Sequence, residues 1–161
     1  MTHFNPAVTV AFLITKHLER KKGLLLIYLL AEIIGGILAS VFIYFILFLG
    51  MKLIWGANVP NYIDFPIYVI VGIEILAAAL RMLIILIVVY TKGLKKIGGI
   101  AIGATVGLDI FFFGLISDAS MNPARYLVPV VVSGYYSDIW LYLTAPFIET
   151  TIVALLLRNK F

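Results

Sequence analysis

The tripeptide Asn-Pro-Ala occurs twice in this chain, as Asn5-Pro6-Ala7 and as Asn122-Pro123-Ala124. Asparagine is a strong helix N-cap and proline is well tolerated at the first helical position, so each copy predicts the start of a helix. A helix N-terminus carries a partial positive charge, and the asparagine amide adds hydrogen-bond donors beside it. The two tripeptides therefore predict two positively polarised helix starts, and they contain no nucleophile.

Each tripeptide heads an apolar stretch that is too short to cross a bilayer, namely Phe4–Thr15 and Pro123–Ser133. Such short stretches in a membrane protein indicate re-entrant segments, which survive at that depth only when they are buried or line a wet cavity. A spanning helix needs about 20 apolar residues. Four further segments reach that length: Leu24–Leu49, Pro66–Tyr90, Ile97–Ile116 and Ile139–Leu157.

The composition agrees with this division into spans and short segments. Of the 161 residues, 63% are hydrophobic and 12% are charged, about half the charged share of an ordinary soluble domain. These values exclude a disordered chain, a nucleic-acid-binding domain and a typical soluble enzyme. The absence of cysteine excludes disulfides and thiolate sites. With His3 and His17 as the only histidines, we expect no metal site and no cofactor.

The basic residues indicate how the chain is oriented. Nine of the twelve lysines and arginines fall on one side if the four spans alternate and both short segments re-enter from opposite faces. By the positive-inside rule this side is cytoplasmic, which predicts a multi-pass plasma-membrane protein with a cytoplasmic C-terminus. The loops on the opposite side, Gly50–Phe65 and Ser117–Asp138, contain only two basic residues, Lys52 and Arg125. The nine are Lys16, Arg20, Lys21, Lys22, Lys92, Lys95, Lys96, Arg158 and Lys160.

If the two short helices enter from opposite faces, their N-termini meet near the midplane of the membrane. Both positive helix ends then point at one spot, and half-helix ends in inverted halves are a recurrent way to build a transport site. The sequence therefore predicts an all-α membrane protein in which four spanning helices and two half-helices surround one central site.

The motifs and their order resemble the aquaporin (major intrinsic protein) family. The strings that carry the resemblance are His3–Thr9 (HFNPAVT) and Ser120–Arg125 (SMNPAR). The resemblance extends over nearly the whole chain and implies an aquaporin-like helical bundle. Supporting matches are Ala31–Gly36 (AEIIGG), Glu74, Ile97-Gly98, Trp140 and Ala145-Pro146.

The resemblance implies a narrow pore in which Asn5 and Asn122 donate hydrogen bonds to the permeating molecule. A central water that accepts from both cannot also pass a proton along the file, and the positive helix ends repel cations. Arg125 would then be the arginine of the outer constriction. Glu74 would accept from backbone N–H groups of the re-entrant Ser117–Arg125 loop.

Two further constriction positions carry over from the family by their spacing from Asn122, namely Ile110 and Ala119. Water-selective members tend to have histidine where Ile110 stands, so a wider and more apolar rim is implied here. Glycerol-passing members have aspartate directly after the arginine, where this chain has Tyr126. Water alone and water with small neutral solutes such as glycerol both remain open, and we favour the second.

The largest departure from the family lies at the start of the chain. The family has six spans, whereas this chain begins at Met1, just ahead of the first tripeptide. We expect a first repeat reduced to residues 1–49, an extracellular loop at 50–65 and a complete second repeat at 66–161. Two absent spans would remove one wall of the pore, one constriction position and the carboxylate that braces the Phe4–Ala7 turn.

Several intramembrane charges also depart from the family. Glu32 stands where glutamine is usual, Glu149 stands where a small residue is usual, and Arg81 and Asp109 are unexpected. A lone charge at the centre of a membrane costs about 3 kcal/mol on insertion scales. These side chains therefore either pair within a divergent bundle or mark a chain under weak selection.

The leading interpretation is a passive channel with no enzymatic activity, whose partners are water, small neutral solutes and the lipid bilayer. By resemblance it would be a homotetramer, and no nucleic acid is involved. The alternative is a non-conducting truncated remnant or scaffold, because half a pore wall would leave Asn5 and Arg125 facing lipid. A pore would then need its missing wall from another chain.

A third interpretation is a proton-coupled transporter or an intramembrane enzyme that uses the buried carboxylates. Acidic residues within spans are often functional. We disfavour this interpretation because no nucleophile–base pair, metal spacing or phosphate loop accompanies them. The residues concerned are Glu32, Glu74, Asp109 and Glu149.

Overall fold

The computed structural model of the chain describes residues 3–16, 22–47, 57–158 and 160. Met1, His17, Arg20, Lys21, Lys52 and residues 48–49 of the first predicted span lie outside the described residues. The described part is helical, and its helices are α1 (Pro6–Ile14), α2 (Lys22–Leu47), α3 (Ile67–Tyr90), α4 (Gly98–Ser117), α5 (Pro123–Ser133) and α6 (Ile139–Leu157). One turn of 3₁₀ helix, Leu94–Ile97, precedes α4.

Four helices are long and apolar enough to cross a membrane, and the other two are half that length. The four spans are Gly23–Ile43, Ile67–Tyr90, Leu94–Ser117 and Ile139–Leu157. With 9 and 11 residues, α1 and α5 measure only about 14 and 17 Å, against a hydrocarbon core of about 30 Å. The predicted bundle of four spanning helices and two half-helices is therefore confirmed, and the chain is a multi-pass membrane protein.

Local sequence explains where the two half-helices stop. The last turn of α1 is followed by Lys16, which has a left-handed backbone with φ of 59°. At the end of α5, Gly134 is left-handed with φ of 74°, and its N–H donates to the carbonyl of Val130 at 2.8 Å. A left-handed residue after the last helical turn is a common helix stop, and glycine adopts it without steric cost.

Each half-helix packs against a spanning helix from the other end of the chain. The first half-helix α1 lies against α6, and α5 lies against α2, while α3 contacts both α4 and α6. At the crossing of α2 and α5, Gly36 lets the side chain of Val128 approach its backbone. This exchange of partners brings the two ends of the sequence into one bundle. The division of the chain into two repeats stays a prediction.

The bundle has two distinct ends. The hydroxyl of Tyr90 donates to the carbonyl of Thr15 at 3.3 Å, so the C-termini of α1 and α3 share one end. At the other end, the N–H of Asn61 donates to the carbonyl of Ile116 at 3.0 Å, and Tyr62 donates to Asp138. Because α6 starts at this second end, α5 runs towards it while α1 runs towards the first. The half-helices therefore run from the middle of the bundle to opposite ends, as expected.

Candidate functional site

Asn5 and Asn122 each cap the half-helix that follows. Oδ1 of Asn5 accepts from the N–H of Ala7 at 2.9 Å. Oδ1 of Asn122 accepts from the N–H of Ala124 at 3.0 Å and from that of Arg125 at 3.4 Å. Both asparagines have extended backbones, and a proline follows each at the first helical position. The predicted N-caps are therefore confirmed, and they point the amide nitrogens away from their own helices.

Each amide nitrogen reaches across to the other half-helix. Nδ2 of Asn5 donates to the carbonyl of Met121 at 2.9 Å, and Nδ2 of Asn122 donates to the carbonyl of Phe4 at 2.8 Å. Met121 immediately precedes Asn122, and Phe4 immediately precedes Asn5. Because an amide has two N–H groups, this reciprocal pair leaves one N–H on each asparagine for another acceptor. The two positive helix ends are thus fastened together in the middle of the bundle.

Glu74 on α3 holds the turn that leads into α5. Its carboxylate is fully buried and accepts from the hydroxyl of Ser117 at 3.1 Å, from the N–H of Ser120 at 3.2 Å and from the N–H of Met121. This turn has left-handed backbone at three non-glycine residues, which costs conformational energy. The three residues are Asp118, Ala119 and Met121. The carboxylate compensates by accepting from backbone donors that a membrane interior would otherwise leave unpaired.

Glu32 on α2 does the same for the turn that leads into α1, and this corrects our expectation that the brace of the Phe4–Ala7 turn is missing. Its Oε1 accepts from the N–H of Asn5 at 3.0 Å and from the hydroxyl of Thr9 at 2.7 Å. Sequence reasoning noted Glu32 as an unusual charge and as a carboxylate of the disfavoured transporter interpretation, but not as a brace of this turn. The available signal was that an acid inside a span needs donors close to it, and the capped turn supplies them.

Arg125 lies in the first turn of α5 and folds back over the preceding turn. Its Nη1 donates to the carbonyl of Ala119 at 2.7 Å and to that of Ser120 at 3.4 Å. The side chain remains exposed to a cavity while these two carbonyls fix its direction. A cation held in this way faces whatever enters the cavity.

One cavity of about 480 Å³ contains both asparagines and Arg125. Its polar lining comes from the half-helices and from Arg81 of α3, and its apolar lining comes mainly from α1 and α4. Sequence reasoning flagged Arg81 as an unexpected charge but not as a residue of the site. The lining residues are His3, Phe4, Asn5, Val8, Phe12, Arg81, Ile85, Gly99, Ile102, Gly103, Val106, Ile110, Ser120, Met121, Asn122 and Arg125.

A sequence profile of the major intrinsic protein family matches residues 2–157 of this chain. The chain belongs to the major intrinsic protein family. Nodulin-26 of Glycine max is 37% identical over 147 residues, covering 89% of this chain and 51% of its own length. The probable aquaporin NIP4-2 of Arabidopsis thaliana is 35% identical over 146 residues, covering 91% of this chain and 50% of its own length.

A solved structure shows that the family fold is present. The X-ray structure of the aquaglyceroporin from Plasmodium falciparum superimposes with a TM-score of 0.80 at 19% identity. The match covers 98% of this chain and 72% of that chain. This member of the major intrinsic protein family spans about half the length of the curated relatives that it matches.

Ile110 and Ala119, the two other positions that the resemblance predicts in the constriction, differ in whether their side chains face the cavity. Ile110 on α4 is 42% exposed and lines the cavity. The side chain of Ala119 is fully buried against Ala77, Ala78 and Met121, and only its carbonyl faces Arg125. A constriction role stays a prediction for both, and for Ala119 it would act through the backbone.

Two further carboxylates, which the sequence offered only for the disfavoured transporter or enzyme interpretation, are buried near Arg81. Asp109 on α4 and Glu149 on α6 are each 3% exposed. Both interact electrostatically with the Arg81 guanidinium, as does Glu74. Within the described residues, Oδ2 of Asp109 and both carboxylate oxygens of Glu149 have no hydrogen-bond partner. Two of the unexpected acidic residues, Asp109 and Glu149, therefore lie around one arginine in the bundle interior.

Proposed function

We propose that this chain forms a passive pore for water and small neutral solutes that excludes protons and ions. The observation that carries the proposal is the reciprocal hydrogen bonding of Asn5 and Asn122 in the wall of one cavity. It leaves one amide N–H on each asparagine for a permeating molecule. The transport requires no bond to be broken, so the proposed function is not enzymatic.

Proton exclusion follows from how a molecule would bind at this point. A water that accepts from both asparagines must turn its own hydrogens away from them. This interrupts the single file of hydrogen-bonded waters along which a proton would hop. The paired positive ends of α1 and α5 and the guanidinium of Arg125 raise the energy of any cation there. Glu32 and Glu74 hold both helix starts in place by binding their backbone donors.

The lining of the cavity favours solutes with one polar and one apolar side. Polar groups come from the starts of the two half-helices and from α3, and apolar residues such as Val106 and Ile110 come from α4. A small polyol such as glycerol can direct its hydroxyls to the polar groups and its carbons to the apolar side chains of α4. We therefore include small neutral solutes with water, as the wider rim at Ile110 suggests.

We further propose a homotetramer in the plasma membrane, with the end that carries Lys92, Lys95 and Lys96 facing the cytoplasm. The positive-inside rule supports this orientation. The alternative that the chain is a non-conducting scaffold remains an outcome of the test, since the chain spans about half the length of its relatives.

The test is a stopped-flow measurement of osmotic water and glycerol entry into proteoliposomes that contain the purified chain. We expect both rates to exceed those of empty liposomes and to be unaffected by an imposed proton gradient. Equal rates in protein-containing and empty liposomes would reject the channel in favour of a scaffold. Rates that follow the proton gradient would instead support a coupled transporter.

The variant Asn122→Asp tests the role of the asparagine pair. Aspartate can still cap α5 through an oxygen, but it loses the bond to the Phe4 carbonyl and places a negative charge in the cavity. We expect higher proton leak relative to water flux. Asn61→Asp, the same change in the loop at the end of the bundle, is the matched control. Unchanged proton tightness in Asn122→Asp would remove the asparagine from the proposed mechanism.

A further inference from the structure

The side chain of Arg81 lines the cavity although only 6% of the residue is exposed. It lies in α3, about 21 Å from the start of a helix that is about 36 Å long. This places it near the middle of the membrane, at the level where the two half-helices meet. A charge at that depth is expensive unless it faces a cavity and has partners.

Arg81 is tied to the same turn as the two asparagines. Its Nη2 donates to the carbonyl of Met121, which also accepts from Nδ2 of Asn5 at 2.9 Å. Arg125 binds the two preceding carbonyls, those of Ala119 and Ser120. Two arginines on different helices therefore hold three consecutive carbonyls of one turn, and both line the cavity.

Three carboxylates lie near Arg81, one on each of three helices. Glu74 lies on its own helix, Asp109 on α4 and Glu149 on α6, and all three interact with it electrostatically. Of these four charged side chains only Arg81 lines the cavity, so a molecule there meets the positive guanidinium and not the carboxylates behind it. A guanidinium has five N–H groups, and among the described residues Arg81 uses one of them, with Nε unpaired. Because Nε is buried, the donors left for the oxygen of a neutral solute are those of the two Nη atoms.

We propose that Arg81 is a second specificity-determining residue of the pathway, acting at the level of the asparagine pair. It donates a hydrogen bond to the oxygens of neutral hydroxylated solutes and disfavours cations through its fixed charge. This inference rests on the proposed function, since it presupposes that molecules pass through the cavity. It differs from the role of Arg125, because the two arginines lie on different helices.

The test compares permeability ratios in proteoliposomes for Arg81→Met, Arg81→Lys and the wild type. Ratios of glycerol to water flux and of potassium leak to water flux do not depend on how much protein folds. In Arg81→Met we expect the potassium ratio to rise by on the order of tenfold because the fixed charge is gone. We expect its glycerol ratio to fall by a factor of about five because a donor is lost.

Arg81→Lys separates charge from hydrogen bonding. Lysine keeps the charge but lacks the planar fork of five donors, so the potassium ratio should stay near the wild-type value while the glycerol ratio falls. The matched control is Leu83→Met, which changes a half-exposed residue of the same helix. A merely structural role for Arg81 would reduce the amount of folded protein and leave both ratios unchanged.

The outcomes separate the two proposals. Wild-type liposomes without water flux would overturn the channel and the role of Arg81 with it. Wild-type flux together with unchanged ratios in both variants would overturn the role of Arg81 alone. If Arg81→Met does not insert, the glycerol ratio of Arg81→Lys decides, and an unchanged value overturns the inference.

Discussion

Asn5 and Asn122 lie 117 positions apart in the chain, yet each donates its side-chain amide to the carbonyl that immediately precedes the other. The bonds measure 2.9 and 2.8 Å and run in opposite directions. Each asparagine therefore caps its own helix with its oxygen and binds the partner turn with its nitrogen. This arrangement gives each carbonyl that precedes a helix start a partner, which lowers the cost of beginning both helices in the middle of a membrane.

The two buried glutamates that brace these turns should respond differently to substitution by glutamine. In Glu74 both oxygens accept hydrogen bonds, so Glu74→Gln would set an amide N–H against a backbone N–H. In Glu32 only Oε1 is used and Oε2 has no partner among the described residues. We expect Glu74→Gln to cost about 1 to 3 kcal/mol of stability and Glu32→Gln to be nearly neutral.

Thermal unfolding of both variants in detergent measures this difference. Glu32→Leu serves as the positive control, because it leaves the N–H of Asn5 unpaired, removes one of the two partners of the Thr9 hydroxyl and should destabilise the protein. Equal losses in the two glutamine variants would contradict the assignment of one oxygen to Glu32 and both to Glu74.

Arg125→Ala should widen the filter. It removes the guanidinium from the cavity and frees the carbonyls of Ala119 and Ser120. We expect faster entry of larger neutral solutes and a greater cation leak, because the fixed positive charge is lost. Arg125→Lys, which keeps the charge, should preserve cation exclusion. If Arg125→Ala changes neither the solute range nor the leak, the arginine only holds the carbonyls of the turn before α5.

Gly36→Ala should destabilise the crossing of α2 and α5. A Cβ at Gly36 would lie 2.8 Å from Cγ2 of Val128, which is closer than carbon atoms pack. At Gly35 a Cβ would meet nothing within 4 Å, so Gly35→Ala is the matched control and should be neutral or slightly stabilising.

A double-mutant cycle identifies the cause of that loss. Val128→Ala removes the contacting methyl groups, so Gly36→Ala should cost less in its presence than in the wild-type background. The readout is the thermal unfolding midpoint in detergent. Additive effects of the two substitutions would show that the close approach of Val128 is not what requires glycine at position 36.

Asp118 should make stability depend on pH. This residue follows α4, outside the span, and accepts from the N–H of Val59 at 3.2 Å. Burial raises the pKa of its carboxyl, although the Val59 hydrogen bond and the charge of Arg125 oppose the shift. Because the pKa is higher in the folded state, the free energy of unfolding should fall as pH rises from about 4 through the folded pKa.

Asp118→Asn isolates this contribution, since it removes the titration and retains an oxygen for Val59. The variant should lose less stability than the wild type between about pH 4 and neutrality. Unfolding in detergent across that pH range gives the slope of stability against pH for the variant and for the wild type. Other titrating groups contribute equally to both slopes. Identical slopes would show that the carboxyl of Asp118 does not titrate differently in the folded state.

Local rules were sufficient to predict the elements that position the site. The caps at Asn5 and Asn122, the four spans and the short length of the two half-helices all follow from residue type and apolar length. Resemblance predicted Glu74 beside the second turn, where its carboxylate accepts from the backbone N–H groups of Ser120 and Met121. Caps, spans and helix lengths depend on residues that are close to one another in the chain.

The roles of Glu32, Arg81 and Ala119 were not predictable in this way. Glu32 meets its partners across 23 and 27 positions, and Arg81 meets Met121 across 40. At Ala119 the sequence could not decide whether the side chain or the carbonyl faces Arg125, because that depends on a left-handed backbone in the turn. Each of these answers depends on how the helices pack.

The sequence by itself determined that the chain crosses a membrane, where its helices begin, and that two half-helices point at one centre, because hydropathy and capping act over short distances. Only the tertiary structure decided which helix each half-helix packs against and which buried charge faces the cavity. In a membrane interior every polar group must find a partner, and those partners come from helices distant in the chain. The packing of α1 on α6 and of α5 on α2 therefore converts two short motifs into one site.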